Sequence, residues 1–87
     1  MRTSNDVVCN IRRLRGRYFL TQDEVVDGAN EYLKELDAKP LLDRVSLSKA
    51  ENGSIILIPD HVFAIATFLD CTMHDIYPEF YPEVPAD

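Results

Sequence analysis

The chain has 87 residues, 9.9 kDa and a formal net charge of −6, enough for one small domain with a thin core and no second unit. No apolar run approaches the roughly 20 residues that span a bilayer, and Met1 to Asp6 carry no apolar signal core, so the expected compartment is the cytoplasm. Cys9 and Cys71 are too few for a disulfide framework or a zinc site, and −6 taken alone argues against a nucleic-acid partner.

The charge is unevenly spread. Residues 1–20 hold Arg2, Arg12, Arg13, Arg15 and Arg17 against Asp6, a net +4, whereas residues 21–87 sum to −10. A basic head on an acidic body marks one face for an anionic partner, or is simply a solvated helix face.

Val7, Val8, Ile11, Leu14 and Tyr18 recur at helical spacing, which predicts a first helix capped by Ser4 or Asn5, with Arg12, Arg13 and Arg17 off its apolar stripe. Gly16 weakens its end. Thr21-Gln22-Asp23-Glu24 is a capping box that opens a second helix, and Val25, Val26 and Ala29 form its buried face. Asn30 is one place for it to stop. Continuation to Asp37 is favoured, because Val25, Ala29, Leu33 and Leu36 keep one phase. Pro40 disfavours helical geometry at Lys39. Asp43 caps a third helix, Arg44 to Asn52, with Leu47 and Ala50 inward and Gly53 as its stop. Ile55-Ile56-Leu57-Ile58 is a short apolar run without an evident strand partner. Pro59 opens a fourth helix that buries Val62, Ile65, Ala66 and Leu69. Thr72 caps a last short helix, Met73 to Tyr77, stopped by Pro78. The acidic, proline-bearing tail at 79–87 reads as extended. The predicted fold is all-α with five helices in residues 1–78.

Three segments together carry a resemblance: Ile11-Arg12-Arg13-Leu14-Arg15, Leu20-Thr21-Gln22-Asp23-Glu24-Val25, and Asp43 through Gly53 ending in Glu51-Asn52-Gly53. With the last two helices in the same order and spacing, the chain resembles the Cro/phage-repressor (XRE) helix-turn-helix DNA-binding family over residues 7–30 and 42–78. That resemblance implies a homodimeric regulator on a palindromic operator of double-stranded DNA, with the third helix in the major groove. It implies base contacts from Arg44, Val45, Ser46 and Lys49. It implies phosphate contacts from Gln22 and Asn52, to which the residues add Arg12, Arg13 and Arg17. Arg15 and Glu51 match the family's structural ion pair, which would tie the first helix to the end of the third.

Two features depart from the family. About eleven extra residues, 31–41, lie between helices two and three and either lengthen helix two or add a short helix; they are a surface for a protein partner or a tolerated elaboration. Ile55, Ile56, Leu57 and Ile58 replace basic residues after Glu-Asn-Gly and are either a dimer contact or a loop folded over its own core.

No cofactor, metal or membrane partner is expected. His61, Cys71 and His74 lack the second ligand pair of a metal site, and surface or helix-end placement is expected for the histidines. Ser46 and Ser48 have no histidine beside them to make a nucleophile, so no enzyme is expected. The alternative to a DNA regulator is an acidic adaptor or antirepressor on a helix-turn-helix fold that no longer binds DNA. The two are separated by whether Arg12, Arg13, Arg17, Arg44 and Lys49 share a face with Gln22.

Overall fold

A computed structural model describes residues 8–83. The cap read at Ser4 or Asn5, the apolar Val7, the basic Arg2 and the last four tail residues lie outside them. Among the described residues there are five helices and no strand: α1 (Ile11–Gly16), α2 (Gln22–Glu35), α3 (Arg44–Glu51), α4 (Pro59–Phe68) and α5 (Met73–Ile76). α2 packs against α4 and α3, and α4 against α5. Ile11, Val25, Ala29, Leu33, Leu47, Val62, Ile65 and Ile76 are fully buried between them.

The caps act where the residue types put them. Thr21 and Glu24 close a reciprocal capping box on α2, Thr72 and Asp75 do the same on α5, and the Asp43 carboxylate accepts from Ser46 N–H at 2.7 Å to start α3. Such hydrogen bonds satisfy amides that a helix start leaves without partners. α2 is the lengthened helix, and Asn30 sits inside it rather than at its end.

The first four helices end in one motif. A residue directly after the cap (for α1, two after it) adopts positive φ, its N–H bonds three residues back, and the next N–H bonds five residues back. The pairs are Phe19→Gly16 and Leu20→Arg15, Asp37→Lys34 and Ala38→Leu33, Gly53→Ala50 and Ser54→Lys49, and Asp70→Thr67 and Cys71→Ala66. This is the Schellman arrangement. Glycine takes the left-handed place without strain and aspartate tolerates it, whereas a bulky side chain there is an outlier. Phe19 occupies it at φ 57° with its ring 93% exposed, so strain is not offset by burial. Phe19→Gly is expected to raise stability by about 1 kcal/mol, measured as a shifted urea midpoint at unchanged slope.

Several details differ from the sequence expectation. Val8 lies before α1 and is exposed; the helix starts at Ile11 because Asn10 is tied elsewhere, its N–H to Ile76 O and its Nδ2 to Asp75 O. Tyr18 is exposed because α1 has already turned into its terminal motif. Leu36 keeps the phase of α2 but is exposed at the C-cap. His61 is 7% exposed rather than on the surface. The tail as far as Glu83 does not simply extend: Phe80 and Tyr81 donate to Tyr77 O, and the Phe80 ring meets Tyr77 edge-on at 5.9 Å.

Gly28, in the middle of α2, lets the Phe68 ring of α4 approach the backbone, and a Cβ there would overlap the ring. Gly28→Ala gains about 1 kcal/mol of helix propensity but overpacks the α2–α4 contact by about 1–3 kcal/mol. A net loss is expected in otherwise unchanged protein. In a Phe68→Ala background the sign should reverse, and a denaturation double-mutant cycle reads both.

Candidate nucleic-acid interface

α3 is short, and only Leu47 and Ala50 are buried from it. Its other side carries Arg44, Val45 and Lys49, all exposed, with Ser46 and Ser48 half-buried. Arg44, Val45, Ser48 and Lys49 line one shallow groove on that outer side. Asn52 follows at the C-cap and is exposed. Arginine, lysine, serine and an aliphatic side chain together offer donors, an acceptor and a methyl contact, the set that major-groove base edges require.

The C-terminal end of α3 is held by a charged network. Arg15 Nε donates to Glu51 Oε2 at 2.8 Å and Arg15 Nη2 donates to Glu51 Oε1 at 3.0 Å. Arg15 Nη1 donates to Leu20 O at 3.0 Å, and Gln22 Nε2 donates to Glu51 Oε1 at 3.0 Å. The Glu51 side chain is 4% exposed and that of Arg15 19%. Burial by itself pushes the Glu51 carboxyl up. The hydrogen bonds from Arg15 and Gln22 and the charges of Arg15 and Arg12 outweigh it and hold Glu51 below its ordinary value. The bond to Glu51 raises Arg15 in turn. One carboxylate thus joins the end of α3 to α1 and to the first residue of α2.

The basic residues of α1 divide between two flanks. Successive helical residues turn by about 100°, so with Ile11 and Leu14 inward, Arg12 falls on the flank of Arg15, and Arg13 and Arg17 fall on the opposite one. The electrostatics agree: Arg12 acts on Glu51, whereas Arg17 acts on Cys71 and Asp75 at the α5 side. Arg12 therefore lies with Gln22 and α3, while Arg17 lies with α5.

Acids are divided in the same way. On α2, Glu31 and Glu35 are exposed on the side turned away from the core, about a quarter turn or more from Asn30, which faces the connection to α3. Asp23 is different. Its Oδ1 lies 3.9 Å from Arg44 Nε, both side chains being about two-thirds exposed. That places a carboxylate beside the only arginine of α3, a contact the sequence reading did not contain.

The apolar run after α3 splits. Leu57 is buried and its N–H donates to Tyr77 Oη at 3.3 Å. Ile55, Ile56 and Ile58 remain 37%, 52% and 42% exposed, so one residue anchors the loop and three face outward.

Two further side chains bear on α3. The Asn30 carboxamide accepts from Leu42 N–H at 2.8 Å and donates to Leu42 O at 2.9 Å. His61 Nε2 lies 2.7 Å from Pro40 O; a carbonyl only accepts, so Nε2 carries the proton. The signals were faint: an asparagine inside a helix is a poor helix former, and His61 precedes Ile65 by four residues on a buried face.

Among the described residues no three His, Cys, Asp or Glu side chains converge as metal ligands. His74 Nδ1 is engaged by Tyr81 O at 2.8 Å. Burial pushes the Cys9 thiol up and the Cys71 thiol up to about 11, which keeps both protonated at neutral pH. No helix among the described residues is long and apolar enough to cross a membrane. No family model, no curated protein and no solved structure matches the chain.

Proposed function

We propose that the chain is a sequence-specific DNA-binding regulator of the Cro/repressor type, reading double-stranded DNA with the outer face of α3. The observation that carries the reading is the construction of that face. Glu51 is fixed by Arg15 and Gln22, and the outer side of the helix is left to Arg44, Val45, Ser48 and Lys49. Charge that is not neutralised inside the fold is available to a ligand.

Base readout falls to Arg44, Val45 and Lys49, with Ser46 close to the start of the helix. Phosphate contact falls to Gln22, Arg12 and Asn52, which border it. Arg13 and Arg17 lie on the other flank and serve a phosphate only if the duplex wraps that far. The outward Ile55, Ile56 and Ile58 supply a homodimer contact, which would set two copies of α3 on half-sites about 34 Å apart.

Selection from a random double-stranded library tests this. A palindrome should be enriched, with affinity falling steeply as salt rises; no enrichment overturns it.

Asp23 favours the adaptor reading to the extent that it masks Arg44. In the DNA reading it tempers affinity, so Asp23→Asn should tighten binding to any duplex roughly 2- to 5-fold at low salt, as anisotropy titrations would show. An unchanged affinity would mean that Arg44 does not approach the duplex.

A further inference from the structure

α3 has eight residues and buries only Leu47 and Ala50. So little packing defines a position but leaves the tilt of the helix to its two ends. The C-terminal end is held by Glu51. The N-terminal end follows a connection, residues 36–43, in place of a tight turn, and three side chains bind that connection in succession. His61, from the first turn of α4, donates to Pro40 O. Asn30, from the third turn of α2, takes both backbone groups of Leu42, whose side chain is 3% exposed. Asp43 then caps α3. Arg44 and Val45 are the next two residues.

We infer that Asn30 and His61 are positioning residues that set the tilt of α3 and so determine which bases Arg44 and Val45 read. This rests on the DNA-binding reading for its consequence but not for its geometry. Neither side chain needs to touch DNA. Each acts on the backbone immediately before the reading helix, and binding geometry tolerates only about 0.5 Å or 10–20° of error. Asn30 and Leu42 flank the extra residues 31–41, so their two hydrogen bonds close that segment at its base.

The test uses the full chain and two readouts. Amide hydrogen exchange without DNA is followed at Leu42, Ser46 and Leu47 near the N-terminal end of α3 and at Asn52 at its other end. Asn30→Ala and His61→Leu should accelerate exchange at the first group roughly tenfold while Asn52 is unchanged. His61→Gln, which can place an amide N–H where Nε2 stood, should restore protection. In library selection the two disruptive variants should flatten preference at the bases nearest Arg44 and Val45 roughly tenfold, with the slope of affinity against salt preserved. If Asn30→Ala unfolds the chain, Asn30→Asp keeps the acceptor for Leu42 N–H and loses only the donor to Leu42 O, and faster exchange is then expected at Ser46 and Leu47 with Leu42 and Asn52 protected.

Uniform exchange along α3, or selective exchange with unchanged base preference, overturns the assignment. If the unsubstituted chain enriches no sequence, the DNA reading fails by itself. The exchange pattern then decides the clamp: selective loss at the N-terminal end supports it and uniform loss overturns it.

Discussion

Replacing Arg15 with methionine should destabilise the fold by about 3 kcal/mol, enough to lower Tm by more than about 10 °C in a domain of this size. Glu51 would stay almost wholly covered, with Gln22 as its remaining donor, and an uncompensated buried carboxylate costs more than the intact pair contributes. The double replacement Arg15→Met with Glu51→Leu removes charge and partner together. It should recover at least half of the loss, the remainder being the Leu20 carbonyl that Arg15 Nη1 no longer serves. Additive losses in the double variant would show that the two side chains act separately.

The same pair fixes the direction of the acid response. Glu51 is held below its ordinary value, so it stabilises the fold above the unfolded pKa of about 4.3 and loses that contribution as pH falls through its lower folded value. The capping carboxylates Asp43 and Asp75 are lowered by the amide N–H groups of Ser46 and Thr72, and they act in the same direction. Thermal midpoints should therefore fall below about pH 4, and Glu51→Gln should start lower at neutral pH and descend less.

The second large effect concerns DNA. Arg44→Ala should weaken the preferred site roughly 5- to 150-fold, the worth of one bidentate base contact, and relax the preference at that position. Arg12→Ala should weaken all duplexes alike and reduce the salt slope by about 1. The contrast follows from placement. Arg44 stands on the outer side of α3, whereas Arg12 stands on the flank of α1 beside the Glu51 network. Arg17→Ala, on the α5 side, should do less than either. Equal changes in base preference for Arg44→Ala and Arg12→Ala would refute the division between reading and positioning.

Local chemistry made most of the fold legible. Thr21, Asp43 and Thr72 cap within three residues of themselves, and Pro59 and Gly53 mark a start and a stop through their own backbone limits. The unbroken stripe Val25-Ala29-Leu33 outweighed Asn30 as a stop because three buried side chains contribute more than one unfavourable propensity. The left-handed residues at Phe19, Asp37 and Asp70 were not legible, because the motif is made by backbone hydrogen bonds that only glycine advertises in a sequence.

The site was legible in part for the same reason. Arg15 and Glu51 could be paired through the family resemblance, and their geometry is bidentate. The grouping of five arginine and lysine side chains on one face did not follow: α1 is a single short helix whose 100° steps send Arg12 one way and Arg17 the other. The bonds from His61 to Pro40 and from Asn30 to Leu42 join residues 21 and 12 apart in sequence, respectively, and neither partner backbone group has a sequence signature. Net charge misled most. The −6 sums acids on the outer face of α2, in the caps and in the tail, whereas the one acid within α3, Glu51, is already paired, and Asp23 stands beside Arg44.

The most direct measurement is amide and side-chain NMR mapping of the full chain titrated with its best-enriched duplex. On the DNA-binding reading the largest perturbations should fall on Arg44, Val45, Ser48 and Lys49, with smaller ones at Gln22, Arg12 and Asn52. Glu31 and Glu35 should stay unmoved. Perturbations confined to the outer face of α2 or to Ile55–Ile58, with α3 silent, would contradict it.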